Sequence, residues 1–233
     1  MTRPDARSAY DAWHERVGGS PALQTPWHRL LREALDVRRD LAGRRVLEIA
    51  CGRGDFAGWC AALATPPAMY VAADFSGSAL RIARQRAGGA VACLQADAQA
   101  IGVAGASVDT VVCCETVEHL HDPAAAVGEL ARILKPGGRL FLTAPNYLGA
   151  MGLYRGYLRL TGRRYTEDGQ PVNRFLLAPL VRHWIRAAGL RVLAAESAGH
   201  YLPWPGRPPI LVRDRSRLLS PFGHHSLTVA CKP

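Results

Sequence analysis

Two groups of side chains in this sequence have the types and spacing to do chemistry. The first surrounds a glycine turn in VLEIACGRGDFAGW, residues 46–59: Glu48 precedes the turn, Asp55 follows it, and Asp74 and Asp97 close later apolar runs. Gly52, Gly54 and Ala57 fit G-x-G-x-x-G/A, a turn that brings the backbone up to a nucleotide-like ligand. A pyrophosphate wants N–H donors and no carboxylate nearby, so four acids around one cleft repel it. They suit a ligand with an adenosine, positive charge and no phosphate. Taken singly, each acid reads as a helix cap or solvated turn; jointly, at these spacings, they read as a site. The second group is CETVEHLHDP, where Glu115, Glu118, His119 and His121 crowd into seven residues. Glu115, Glu118 and His119 stand at i, i+3 and i+4, one face of a helical turn if one begins there. His119 then fits the role of general base or acceptor-positioning group, because imidazole titrates near neutral pH. Two carboxylates and an imidazole would also suit Mg²⁺, Mn²⁺ or Zn²⁺, which lowers the pKa of a bound hydroxyl. The base reading is favoured over the metal reading, and His121, beside Asp122-Pro123, reads as a solvent-facing residue at a helix start.

Such groups need a scaffold, and the apolar pattern supplies one. Residues 8–17 and 25–41 read as helices, the second with Leu30, Leu31, Ala34, Leu35 and Val37 at helical spacing. From residue 45 the pattern alternates. Strands are expected at Val46–Ala50, Met69–Asp74, Val91–Gln95, Val108–Cys114 and Arg139–Ala144, with helices at Phe56–Leu63, Gly77–Ala87 and Pro123–Leu134. Near-continuous apolar strands such as VDTVVCC need cover on both faces, which implies a Rossmann-like, doubly wound parallel α/β sheet. After Pro145 the alternation stops. Residues 146–176 form an insertion beyond the carboxyl end of a strand, a candidate lid, before a helix at Leu177–Ala188, a strand at Arg191–Glu196, a proline-rich segment and a last strand at Ser226–Cys231. One domain of 1–233 follows, made of a helical cap (1–44), a ligand-binding core (45–145), the lid (146–176) and the rest of the sheet (177–233).

Composition narrows the setting. The chain has 233 residues, 48% of them hydrophobic, enough for one large core. No apolar run approaches the roughly 20 residues that span a bilayer, and the first residues lack a signal-peptide core, so a cytoplasmic location is expected. The six cysteines show no C-x-x-C spacing and mostly lie in apolar runs, which argues against a zinc site or disulfide framework. A net charge of +10 fits RNA or an anionic surface, yet Lys135 and Lys232 are the only lysines and no basic blocks occur. Solvated arginines are the preferred reading. The exception is YRGYLRLTGRRY, where Tyr154, Tyr157 and Tyr165 interleave with Arg155, Arg159, Arg163 and Arg164. It reads as an amphipathic lid helix, and equally as a surface for an anionic or lipid-like acceptor, a membrane or RNA.

VLEIACGRG, VAADFSGSAL, LQADAQAIG, VDTVVCCETVEHL and LKPGGRLFLTAPN resemble, in order and spacing, the successive motifs of class I S-adenosylmethionine-dependent methyltransferases. The resemblance covers about residues 45–146. It implies a seven-stranded sheet with an antiparallel last strand and S-adenosylmethionine as cofactor, a molecule that meets the charge argument above. It also implies that Glu48 sits near the methionine amino end, while Ala50, Cys51, Gly52 and Gly54 form the turn against the cofactor. Asp74 would take the ribose hydroxyls, Phe75 and Ala98 would flank the adenine, Asp97 would accept from its N6 amine, and Cys114 would line the same cleft. Ala50 stands where glycine is commoner. The E-x-x-E-H stretch is similar to that of ubiquinone-biosynthesis O-methyltransferases, where it is linked to a divalent ion, and to small-RNA 2′-O-methyltransferases, which add a later histidine. That position here is Asn173, a poor metal ligand. Asn146 and Tyr147 of the A-P-N-Y segment and His200 and Tyr201 of G-H-Y-L-P are implied acceptor-side residues, Tyr154 joins them on the Tyr/Arg pattern of the insertion, and Arg29 or Arg32 would reach the cofactor carboxylate. The expected reaction is methyl transfer to a hydroxyl of a small molecule in quinone or specialised metabolism. The alternatives are RNA 2′-O-methylation, carbon or nitrogen methylation, and a non-enzymatic cofactor-binding scaffold.

Overall fold

The computed structural model describes residues 3–16, 24–87, 91–163, 165, 169–204, 207–214, 216 and 218–233. Seven strands, β1 (Arg45–Ile49), β2 (Met69–Asp74), β3 (Ala92–Gln95), β4 (Val108–Cys114), β5 (Leu134–Pro145), β6 (Arg191–Ala198) and β9 (His225–Cys231), form one sheet in the order β3-β2-β1-β4-β5-β9-β6. β9 runs antiparallel to both neighbours, and the pairings from β3 through to β5 are parallel. The strand order reverses between β1 and β4, which opens a crevice at their carboxyl ends.

Alternate residues of each buried strand feed two cores. Leu47, Ile49, Val111 and Leu140 pack beneath α5 (Pro123–Ile133) and α7 (Ala178–Ala187). Val46, Val112 and Phe141 pack beneath α2 (Pro26–Ala34), α3 (Asp55–Ala61) and α4 (Gly77–Arg86). Local caps set the helix starts. The Ser76 hydroxyl accepts from Ala79 N at 3.1 Å, and Asp122 accepts from Ala125 N at 2.9 Å with Pro123 at the first helical position.

α1 (Arg3–Arg16) lies over α4. Asp11 accepts from the Ser76 hydroxyl at 2.5 Å and Ser78 N at 3.1 Å, and Glu15 accepts from the Ser78 hydroxyl at 2.9 Å and pairs with Arg81 at 3.1 Å. Those bonds clamp the N-terminal helix across the crevice.

Three departures from the sequence expectation have physical causes. The helix expected over 25–41 ends at Ala34; Leu35 is extended and Asp36 caps a separate π turn, Val37–Leu41, which the Asp40–Arg139 pair at 3.0 Å ties to β5. β5 begins at Leu134 rather than Arg139, because Leu134 pairs with Val108 ahead of a bulge. The proline-rich segment forms a two-stranded ribbon, β7 (His200–Trp204) with β8 (Arg207–Arg213). Among the described residues its outer edges have no ladder partner, so the missing proline N–H groups are tolerated there. Within the insertion, α6 (Ala150–Leu160) packs against β7. Arg164 and the end of the 8–17 helix at Val17 lie outside the described residues.

Candidate active site

The crevice holds a cavity of about 270 Å³. Its floor is the carboxyl ends of β1, β2 and β4, and its roof includes Tyr10, Trp13 and His14 of α1 with Trp27 and His28 of α2. Two of the three non-glycine residues with positive φ among those described sit here, Ala50 (+55°) after β1 and Glu115 (+44°) after β4. Left-handed backbone costs an L-residue about 1–2 kcal/mol, so the fold holds both turns against a local penalty at the mouth of the crevice.

The carboxylates differ in environment. Glu48 is buried, accepts from the Tyr70 hydroxyl at 2.6 Å, and burial pushes its carboxyl up to about 8. Asp74 accepts from Gly52 N at 2.8 Å and Ser76 N at 2.8 Å; burial nevertheless raises it to about 6. A carboxylate has about four acceptor sites, so these backbone bonds leave Asp74 with further acceptor capacity. Asp97 accepts from Gln99 N at 2.9 Å and from its side-chain amide at 3.0 Å, an Asx-type turn. Asp55 pairs with Arg86 at 2.8 Å on the rim. Buried acids in an apolar cavity are stabilised by an incoming cation and repel an anion, which fits a sulfonium- and ammonium-bearing cofactor.

On the other wall, His119 Nδ1 lies 2.5 Å from Val172 O, a contact in which the ring nitrogen must donate. The tautomer is thereby fixed with the lone pair on Nε2, which is 3.4 Å from Glu118 Oε1. Burial lowers the imidazole to about 4 and keeps it neutral at pH 7. Glu115 turns away from this pair: its Oε2 is 3.1 Å from His225 Nδ1.

Comparison with known proteins points the same way. The methyltransferase-domain family matches residues 47–142. The ubiquinone biosynthesis O-methyltransferase of Xanthomonas oryzae pv. oryzae is 33% identical over 226 residues, covering 90% of this chain and 86% of that protein. The chain belongs to the S-adenosylmethionine-dependent methyltransferases. Among solved structures, the protein complexed with the Haloferax volcanii Trm112 methyltransferase activator superposes with a TM-score of 0.72 at 21% identity, over 98% of this chain and 97% of that one. An S-adenosylmethionine-dependent methyltransferase from Mesorhizobium loti gives 0.64 at 14%, over 90% and 99%. At such identity the likeness speaks to the fold, a seven-stranded Rossmann-like sheet.

In this methyltransferase the structure gathers Glu48, Ala50, Cys51, Gly52, Asp74, Phe75, Asp97, Ala98, Cys114, Glu115 and His119 around one cavity. Gly54 and Glu118 stand behind its wall. Gly54 caps α3 at φ +76°, and a Cβ there would lie 2.8 Å from Ala83 Cβ, so the missing side chain allows close packing of α3 on α4. The Cys51 and Cys114 thiols are pushed upward by burial and line the wall as inert groups.

The acceptor-side expectations need correction. Asn146 is buried and ties the chain together, donating to Pro221 O at 2.9 Å and Gly223 O at 3.0 Å and accepting from Ala178 N at 3.1 Å. Tyr147 stacks on Phe175 beneath the Arg155 guanidinium, which donates to Asn173 Oδ1 at 2.6 Å. Tyr154 stacks on Tyr157 in α6. His200 and Tyr201 lie in the β7–β8 ribbon. None of these five lines the cavity.

Nor do Glu115, Glu118 and His119 converge on a point. Helical spacing at 115–119 fails because Glu115 is left-handed and only a single 3-10 turn, Val117–His119, follows. Among the described residues no cluster of three His, Cys, Asp or Glu side chains is arranged to hold a metal, so the donors as placed do not fit one. Asn173 faces Tyr147 and Arg155. Arg29 pairs with Asp214 at 2.7 Å, and neither it nor Arg32 lines the cavity.

Sequence reasoning missed Tyr10, Trp13 and His14. Their i, i+3, i+4 spacing marks an aromatic stripe, and only the clamp onto Ser76 and Ser78 turns that stripe into a roof. It also missed Gln170 and Val172, which close the cavity because Arg174 donates to Glu118 O, Leu120 O and His121 O.

Proposed function

We propose that this methyltransferase methylates a hydroxyl oxygen of a small, planar acceptor, with His119 as the proton-accepting group. The supporting observation is the fixed tautomer: Val172 O holds Nδ1–H, burial keeps the ring neutral, and Nε2 is left as a lone pair at the cavity wall beside Glu118. The name borne by the Xanthomonas oryzae relative favours oxygen as the receiving atom.

Bound S-adenosylmethionine supplies an electrophilic methyl on a sulfonium. This chain's residues do the rest. Glu48 and Gly52 would hold the amino-acid end, Asp74 would accept from the ribose hydroxyls, and Phe75, Asp97 and Ala98 would enclose the adenine. The aromatic roof of Tyr10, Trp13 and Trp27 would exclude water and align a flat acceptor, and such alignment is a large source of rate gain in an in-line displacement. As the hydroxyl becomes a better nucleophile, His119 Nε2 takes its proton, and the Glu118 carboxyl 3.4 Å away steadies the imidazolium.

Radiolabelled methyl transfer to a panel of phenols, with catechol as the first probe, tests the acceptor class. His119→Ala should lower turnover by about 10²–10⁴-fold while cofactor affinity stays within about twofold. Equal rates would remove the imidazole from the reaction.

A second reading concerns the outer face. α6, which exposes Leu153 (81%) and Leu160 (89%), packs against β7 of the ribbon, which exposes Trp204, Ile210 and Val212 (66%), and Arg159, Arg163 and Arg213 of the same elements and of the turn after α6 are exposed too. Apolar side chains interleaved with arginines suit an anionic bilayer surface, from which a lipophilic acceptor would be drawn. The bare positive charge carries no comparable support for RNA. No helix among the described residues is long and apolar enough to cross a membrane, so contact would be peripheral.

A further inference from the structure

Glu115 has three features that the cofactor pocket and the His119 base leave unused. Its backbone is held at φ +44° at the end of β4, where its N–H donates to both the carbonyl and the hydroxyl of Thr143 at 3.1 Å. Glu115 lines the cavity, and its Oε1 is buried with no hydrogen-bond partner. Its Oε2 is 3.1 Å from Nδ1 of His225, the first residue of β9, whose side chain is 3% exposed.

His225 is itself enclosed. Its backbone pairs with Pro145 on β5 and Ala198 on β6, so the strand ladder fixes where the ring starts. Trp27 from the cavity roof packs on the ring at 4.7 Å, His224 lies at 4.8 Å, and the Tyr201 hydroxyl is 3.5 Å from Nε2. A strained residue, a buried oxygen without a donor and a partner locked by three strands are together an arrangement for holding one carboxyl oxygen toward a ligand.

We propose that His225 is a positioning residue for the methyl acceptor: by donating Nδ1–H to Glu115 Oε2 it aims Glu115 Oε1 into the cavity, where it receives a polar hydrogen of the acceptor. This rests on the hydroxyl-acceptor reading above. It places a second anchoring point on the β4–β9 side of the cavity, apart from His119, and gives Tyr201 a role as a support behind His225. Residue 225 is 110 positions from Glu115 in the chain, so no local motif carries the pair.

Two variants separate donation from packing. His225→Phe keeps a ring against Trp27 and Tyr201 but has no donor; His225→Asn keeps a donor near the Nδ1 position but gives up the ring. Both are read by calorimetric affinity for S-adenosylmethionine and by KM and kcat for catechol in the 233-residue chain. The expected result is an acceptor KM raised about tenfold or more in the phenylalanine variant, most of it recovered in the asparagine variant, with cofactor affinity within about twofold in both. The reverse order, a neutral phenylalanine and an impaired asparagine, would mean that the ring only fills space and would overturn the proposal. Parallel loss of cofactor and acceptor affinity in both variants would overturn it too, as a prop of the fold. If the wild type methylates no phenolic oxygen, that failure belongs to the hydroxyl reading, and the same ordering is then read on the amine or carbon acceptor that is methylated.

Discussion

Replacing Gly54 by alanine separates what the glycine turn does for the fold from what it does for the cofactor. At φ +76° an L-residue carries a penalty of about 1–2 kcal/mol. The added methyl would lie 2.8 Å from Ala83 Cβ and 2.9 Å from Ala83 Cα, and the second of these atoms is backbone that cannot swing aside. α3 and α4 must part, an overpacking cost of about 1–3 kcal/mol. The loss of unfolded-chain freedom on going from glycine to alanine returns up to about 1 kcal/mol. The net is centred near 2.5 kcal/mol, which at about 2–4 °C per kcal/mol for a chain of this size lowers Tm by about 5–10 °C. Gly52→Ala is the control. Its φ of +52° carries the same backbone penalty, but the nearest atom to its Cβ is His14 Cε1 at 3.8 Å, an ordinary contact, so after the entropy return Tm should fall by less than about 4 °C. Its methyl instead enters the cavity, and cofactor affinity should fall. Thermal unfolding followed by circular dichroism, with calorimetric titration of S-adenosylmethionine on both variants, reads the two effects separately. A Gly54→Ala protein that melts within about 2 °C of the wild type would refute the packing argument, and one that keeps its stability but loses the cofactor would return Gly54 to the binding turn.

Other consequences can be measured directly. Asp74→Ala should weaken S-adenosylmethionine binding by about 1–3 kcal/mol, roughly 5–150-fold, and unchanged calorimetric affinity would remove the ribose assignment. Because burial holds Glu48 at about 8 against an ordinary value of 4.5, it is mostly protonated at pH 7; a bound cation lowers that value, so binding expels the proton and tightens as pH rises toward 8. Binding enthalpies in phosphate and Tris at pH 7 should differ for the wild type by more than for Glu48→Gln, and equal buffer dependence would deny the linkage. Leu153→Glu together with Leu160→Glu should abolish co-sedimentation with phosphatidylglycerol vesicles while leaving cofactor affinity intact, and undiminished sedimentation would rule out α6 as the contact.

The cofactor half of the site was legible because each of its residues is fixed by short-range backbone rules. A buried strand must end in a turn, the turn needs positive φ at Gly52, and an acid at the end of the next strand lies beside it through parallel pairing such as Ile49 with Ala73. Pattern and spacing encode all of that. The acceptor half obeys other physics. Glu118 looked like one corner of a metal triad, yet the left-handed Glu115 breaks the helical register that would have brought the three donors together. Tyr147 looked like a pocket residue and Asn173 stood where a metal-binding histidine would, but Arg155 captures both, one through its ring face and one through a charge-assisted hydrogen bond. A side chain's partner across 18 or 110 positions is chosen by the tertiary fold, and no local window contains it.

That division bears on how acceptor choice is encoded. The floor of the cavity is set by strands buried in the two cores, so a change there disturbs the sheet before it changes selectivity. The roof is different: α1 is tied down by Asp11 and Glu15 to two serines at the start of α4, and the end of the insertion by Arg174 to three carbonyls around His119. Such surface-side bonds can be rearranged at modest cost, and each rearrangement moves Tyr10, Trp13 or Val172 relative to a fixed methyl donor. His119 stands at the seam between the two, its position set by β4 and its tautomer by the insertion, since Val172 O is the acceptor of its Nδ1–H. If His119 is the proposed base, acceptor binding and proton acceptance are coupled through one backbone carbonyl, and a chain with the same floor but a different insertion would lose the fixed tautomer along with the pocket shape.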